Sequence, residues 1–124
     1  MQLSIKIFIL LFSFLFSGGE VTDEIISSIK QSKTTELVKY FDEKVSIKII
    51  TQEDVLSKLQ AEANIKYFFE KHIVKNFTST NVSTVNNTSQ YITGNLETAN
   101  GKFKISILVR RSLIAQFRIE TDND

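Results

Sequence analysis

From Phe77 to Glu120 the chain alternates apolar and polar residues with a period of two. It does so in four runs: Phe77 to Val85, Gln90 to Thr98, Lys102 to Arg110 and Leu113 to Glu120. Such alternation belongs to strands with one buried face. Asn86-Asn87-Thr88-Ser89 separates the first two runs, and Asn100-Gly101 the next two. Asn-Gly is the strongest short hairpin signal, because both central residues of its turn take φ > 0. Phe103, Ile105, Ile107 and Val109 make one apolar face, which Leu113, Ala115, Phe117 and Ile119 continue on the next strand. Four hairpin-linked strands of this kind form one curved antiparallel sheet. Its apolar face must be covered by something else in the chain.

The cover lies upstream. Ser57-Lys58-Leu59-Gln60 reads as a capping box, with Ser57 at the N-cap and Gln60 three residues on. The helix it starts carries Ala61, Ile65, Phe68, Phe69 and His72 within about 100° of one face. Two shorter helices precede it. The first is capped by Thr22 or Asp23, bears Val21, Ile25, Ile26 and Ile29 in a stripe, and runs to about Ser32. The second starts at Thr34 or Thr35, has Leu37, Val38, Tyr40 and Phe41 as its apolar face, and leaves through a turn at Asp42-Glu43. Between these helices and the long one, Val45 to Ile49 alternates as a strand ending in Ile50, and Thr51 to Leu56 is a loop. Runs of strands that follow helices point to a segregated α+β domain. No Pro, Gly-rich linker or repeat divides the chain, so residues 20–124 are expected to form a single domain.

Residues 1–19 are expected to be a cleaved signal peptide. Lys6 ends a short n-region, Ile7 to Phe16 is the apolar stretch, and Ser17-Gly18-Gly19 supplies small residues for a cut after Gly19. The apolar run falls short of the roughly 20 residues that span a bilayer. Export to the periplasm or medium follows, with no stable membrane insertion once the leader is gone. Loss of Lys6 leaves fourteen bases against fourteen acids. A neutral domain offers no basic footprint for nucleic acid. With no cysteine, disulfides, thiolate chemistry and a lipid anchor on cysteine are excluded, and the domain must be held by its core alone.

The order of elements, joined to particular residues, resembles the DUF4783 family of small exported bacterial proteins. The residues carrying the likeness are Tyr40-Phe41-Asp42, Ser57 to Glu62, Phe68-Phe69-Glu70-Lys71-His72, Lys75-Asn76-Phe77, Gly94 to Phe103 and Phe117-Arg118-Ile119-Glu120. They span nearly all of the chain beyond the leader. The resemblance implies a cone-shaped NTF2-like fold and brings no established activity. One departure is visible. The family tends to have Pro shortly after the helix-ending His, whereas here Ile73-Val74 follows His72.

Candidate chemistry is sparse. His72, the only histidine, is a ligand-contact candidate at the apolar face of its helix; the plainer reading is a ring that bonds a carbonyl at the helix end. Tyr67 and Tyr91 are further ligand-contact candidates. Tyr91 shares its strand face with Thr93, Asn95 and Glu97, which either lines a pocket or faces solvent. Asp42 or His72 as base with a tyrosine (Tyr40, Tyr67 or Tyr91) as acid would suit a lyase or isomerase acting on a small carbonyl compound. The plainer role of Asp42 is to bond its own backbone in a turn. Metal ligation is not supported by one His among scattered acids, no phosphate loop is present, and no cofactor is implied. The four overlapping Asn-X-Ser/Thr matches from Asn76 to Ser89 are what an Asn-, Ser- and Thr-rich chain gives by chance. The leading reading is a non-enzymatic domain that binds a small apolar ligand or a protein partner. The carbonyl lyase or isomerase is one alternative, and a homodimeric subunit of an envelope complex is another.

Overall fold

A computed structural model describes residues 18–122. Most of the expected leader therefore lies outside the described residues, and the expected cut after Gly19 falls at the start of the first helix. The elements are α1 (Gly18–Lys30), α2 (Thr34–Val38), β1 (Phe41–Ile49), β2 (Gln52–Ser57), α3 (Lys58–Lys71), β3 (Val74–Asn86), β4 (Ser89–Thr98), β5 (Gly101–Arg110) and β6 (Leu113–Thr121). The six strands form one curved sheet in the order β2-β1-β6-β5-β4-β3. All neighbours are antiparallel except β1 and β6, which run parallel. Three helices cover one face.

The long helix is built as its sequence dictates. The Ser57 hydroxyl accepts from the Gln60 backbone N–H at 3.2 Å, and the Gln60 side chain accepts from the Ser57 N–H at 3.1 Å. Ala61, Ile65, Phe68 and Phe69 are the buried stripe. They meet an inner sheet face of Val45, Ile47, Phe77, Ile92, Leu96, Phe103, Ile105, Ile107, Phe117 and Ile119, all buried. Phe68 sets its ring edge-on to Phe103 at 5.2 Å, and Phe41 and Phe117 lie 5.9 Å apart. Helix α1 brings Ile25 and Ile29 to the same core. It closes in a Schellman motif, with Lys33 N–H donating to Ser28 O and Ser32 N–H to Ile29 O, and Ser32 takes the left-handed position at φ 56°.

Several sequence expectations are corrected here. Thr51 to Leu56 is not a loop: most of it is strand β2, hydrogen-bonded to β1 from Lys44↔Ser57 to Ile49↔Gln52. As an edge strand exposed on nearly all its residues, it buries no face and so shows no alternation. Phe41 and Asp42 belong to β1 rather than to a helix face and a turn. Thr22 is not a cap, since α1 begins four residues earlier and the Thr22 hydroxyl donates to the Gln90 side chain at 3.0 Å. At the hairpin between β4 and β5, Thr98 pairs with Gly101, so Ala99 and Asn100 are the turn and only Gly101 has positive φ. On β6 the apolar face shifts phase. Leu108 pairs with Gln116 and Val109 with Ile114, a bulge at Ala115 that turns Ile114 inward and leaves Leu113 exposed.

Gly94 marks a position where only glycine fits. A Cβ there would stand 2.5 Å from the Phe77 ring and 2.8 Å from the Thr78 carbonyl oxygen. Gly94→Ala is therefore expected to displace a buried phenylalanine and lower stability by about 1–3 kcal/mol, the usual cost of overpacking. A urea midpoint unchanged from the parent would contradict this.

Candidate functional site

Two of the three candidate ligand contacts come together at one end of the cone. An open hollow of about 320 Å³ lies between the last two turns of α3 and the turn joining β1 to β2. From the helix it is lined by Asn64, Tyr67, Phe68, Lys71 and His72. Their spacing of i, i+3, i+4, i+7 and i+8 is one face of a helix. The core stripe and the hollow stripe overlap at Phe68 and His72, so the same helix packs the sheet and borders the hollow.

From the sheet side the hollow is lined by Ile49, Ile50, Thr51 and Gln52. Ile50 is at φ 60°, in the left-handed region that a β-branched residue rarely enters. Strain of this kind costs on the order of 1–3 kcal/mol and persists only where neighbours hold it. Here the Ile50 N–H donates to Ile119 O at 2.7 Å. A second hollow of about 440 Å³ adjoins the first, sharing Ile49, Gln52 and Asn64, and extends past Ile47 and Leu56 to Glu53 and Asp54.

His72 caps α3 and ties it to the far hairpin. Its N–H donates to Phe68 O at 2.9 Å, and its ring stacks on Phe68 at 4.5 Å with Phe103 edge-on at 5.0 Å. The ring Nδ1 lies 2.9 Å from Asn100 Oδ1. The Asn100 amide donates to Lys71 O at 3.1 Å, so its oxygen is the group turned to histidine and Nδ1 is the ring's protonated nitrogen. The expected structural histidine is present in altered form: it bonds a side-chain amide, and that amide takes up a helix-end carbonyl. The β4–β5 turn is fastened at the same place by Ala99 N–H donating to Ile73 O at 2.9 Å. Val74 enters the β3 ladder opposite Thr98 directly after this junction, at the point where the expected family Pro is missing.

The remaining candidates lie elsewhere. From Ile92 onward the buried positions of β4 are Ile92, Gly94, Leu96 and Thr98, so Tyr91, out of phase with them, belongs to the opposite sheet face from Tyr67 and His72. It is half-buried there, across from Leu108 on β5 and Ser83 on β3. Asp42 stands seven residues along β1 from Ile49, about 23 Å at strand rise. Its carboxylate accepts from the Glu43 N–H at 2.7 Å, the local backbone bond expected of it, though on a strand. Tyr40 precedes β1 at that same distant end, and burial raises its phenol above the ordinary pKa. Neither shares the hollow with His72, whereas Tyr67 does, so of the expected base-and-tyrosine pairings only His72 with Tyr67 lines a common hollow.

Lys71, Ile50 and Asn100 were not among the sequence candidates. Lys71 could have been found from the Asn64, Tyr67, Lys71 stripe beside the apolar face of α3. Nothing in the sequence marks Ile50 as left-handed or gives Asn100 a partner 28 residues away.

Asn100→Ala is expected to cost about 0.5–1.5 kcal/mol, because it removes the partners of the Lys71 carbonyl and the His72 ring Nδ1–H at positions open to water. In a His72→Phe background, which keeps the ring stack, the same substitution should cost less. Equal losses in the two backgrounds, measured by denaturant unfolding, would show that the two residues do not act together.

Comparison with known proteins fits this geometry. The model of the domain of unknown function DUF4783 matches residues 22–121. The crystal structure of a DUF4783 family protein from Bacteroides uniformis has a TM-score of 0.78 and 28% identity, covering 82% of this chain and 97% of that one. One from Bacteroides ovatus has a TM-score of 0.76 and 28% identity, over 82% and 94%. An NTF2-like protein of unknown function from Cytophaga hutchinsonii shares the fold at a TM-score of 0.64 and 8% identity, over 86% and 91%. No curated protein sequence matches the chain. The helices over a curved sheet are thus an NTF2-like α+β cone, and the chain belongs to the DUF4783 family.

Proposed function

We propose that this is an exported, non-enzymatic binding domain whose hollow at the end of α3 takes a small apolar or amphipathic ligand. One observation carries the reading. Tyr67, Phe68 and His72 meet Ile49 and Ile50 around an open hollow, while Asp42, the carboxylate base of the alternative reading, stands at the other end of β1. An apolar floor with a few polar groups at its rim is what ligand sites generally offer. In this reading His72 holds the helix end in place and presents a ring wall to the ligand. Export removes the leader, so the protein recovered from its native cell should begin at Glu20 by intact mass.

The test is titration with the neutral apolar fluorophore N-phenyl-1-naphthylamine. Saturable binding is expected, weakened roughly ten-fold by Tyr67→Glu, since an apolar ligand seated beside the new carboxylate would strip water from it. Leu59→Glu, at an exposed apolar residue outside the hollow, should leave it unchanged. Non-saturable binding, or equal loss in both variants, would count against the hollow.

A specific observation also favours self-association. Strand β3 is an edge of the sheet and 13 residues long, and no charged residue occurs from Asn76 to Leu96. Val82 and Val85 are exposed on it. Edge strands are usually blunted by charges or Pro, as the other edge is by Glu53 and Asp54 on β2. Two copies pairing their β3 edges antiparallel about a two-fold axis would set no like charges against one another. Light scattering should then report a dimer that Val82→Lys returns to monomer; a parent monomeric at high concentration would end this reading.

A further inference from the structure

We propose that the hollow selects amphipathic anions. A carboxylate-bearing ligand would lay its apolar body on Ile49, Ile50 and Phe68 and set its charged end against the Lys71 ammonium. The inference rests on the reading of the hollow as a ligand site and adds the chemical class of the ligand.

The charge pattern points this way. No Asp or Glu lines the hollow. Among the described residues three basic side chains meet carboxylates closely: Lys39 with Glu36 at 3.0 Å, Lys48 with Glu120 at 3.0 Å and Arg118 with Glu53 at 2.6 Å. Others, such as Lys33, Lys66 and Lys75, are exposed outside this hollow. Lys71 is placed differently. Its ammonium stands over the Tyr67 ring, 5.3 Å from the centroid, a contact that positions a cation without neutralising it. The acids nearest the adjoining hollow are drawn away from Lys71. Glu53 is bound by Arg118, and Asp54 accepts from the Val55 N–H at 2.8 Å.

One effect opposes an anion here, since a helix C-terminus carries partial negative charge. The Asn100 amide blunts it by donating to the Lys71 carbonyl, one of the terminal acceptors. Among the described residues, Lys71 is the only lysine or arginine that lines the hollow. The apolar half of the site has its own support in the turn. The first central position of a two-residue hairpin turn that takes positive φ suits glycine, yet Ile50 occupies it and contributes an apolar wall. A cation at the rim and a strained apolar wall beside it together fit a ligand with a charged end and an apolar body.

The experiment compares 11-(dansylamino)undecanoic acid with its methyl ester on the full mature chain at neutral pH. The acid is expected to bind roughly ten-fold more tightly, as for one charge-assisted bond, with the advantage shrinking as salt rises. Lys71→Gln should bring the acid down to the affinity of the ester, and Lys71→Arg should restore the difference. Equal binding of acid and ester to the parent would overturn the anion preference and leave apolar binding standing. An advantage that survives Lys71→Gln would overturn the assignment to Lys71. Failure of both probes to bind would overturn the hollow as a ligand site altogether.

Discussion

Coverage of the inner sheet face by α3 is the constraint on which the rest of the molecule depends. That face is lined by phenylalanine, isoleucine, leucine and valine, and no disulfide is available to hold it. Burial of a phenylalanine or isoleucine side chain is worth about 1.5–3 kcal/mol, and truncating one in a packed core costs more, about 3–5 kcal/mol for Phe. Phe68 sits at the centre of this arrangement. It is buried against Phe103 and Phe69, and it is the ring on which His72 stacks. Once α3 is seated by these contacts, its C-terminus arrives between the β1–β2 turn and the β4–β5 turn. The hollow is a by-product of that seating.

The same packing explains why the hollow holds so little chemistry. The inner face is taken up by side chains that fill the core, and the polar residues are left to the rim and to the outer sheet face. There Lys48, Glu120, Arg118 and Glu53 form a chain of ion pairs. A hydrogen bond from Lys48 holds the Glu120 carboxyl below its ordinary pKa. The two carboxylates are exposed and the two cations half-buried, and ion pairs that stay open to water in this way contribute little to stability. Their main consequence is to give one side of the sheet a charged surface, while the β3–β4 hairpin beyond it has no charged residue from Asn76 to Leu96.

Legibility in the sequence followed burial. Strands β4 and β5 bury every second residue on one face, so their alternation was plain, and the capping box of α3 was readable because its two bonds are local. Strand β2 was invisible because it buries almost nothing. The Ala115 bulge reversed the expected phase of β6 at Leu113 and Ile114, since one inserted residue shifts every earlier side chain to the other face. Asp42 was read correctly as a residue that bonds its own backbone but was assigned to the wrong element. At the site, Tyr67 and His72 were named from residue type and helical position. Their neighbours Ile50 and Asn100 come from turns whose conformation is set by pairing partners far along the chain.

What the sequence by itself determined is the α+β class, the long capped helix and the hairpin-linked strands, because periodicity and capping depend on residues within a few positions of one another. It also determined that the chain has no cysteine and that residues 20–124 carry fourteen bases against fourteen acids. The tertiary structure decided that β1 pairs with β6 in parallel, that Tyr91 faces away from Tyr67 and His72, and that Asp42 is a strand's length from the hollow. These depend on which residues far apart in the chain are brought together, and a local pattern carries no record of a partner dozens of residues away. The hollow and its lone lysine belong to that second kind. Lys71 is an ordinary helix-ending residue until packing sets the β1–β2 turn opposite it.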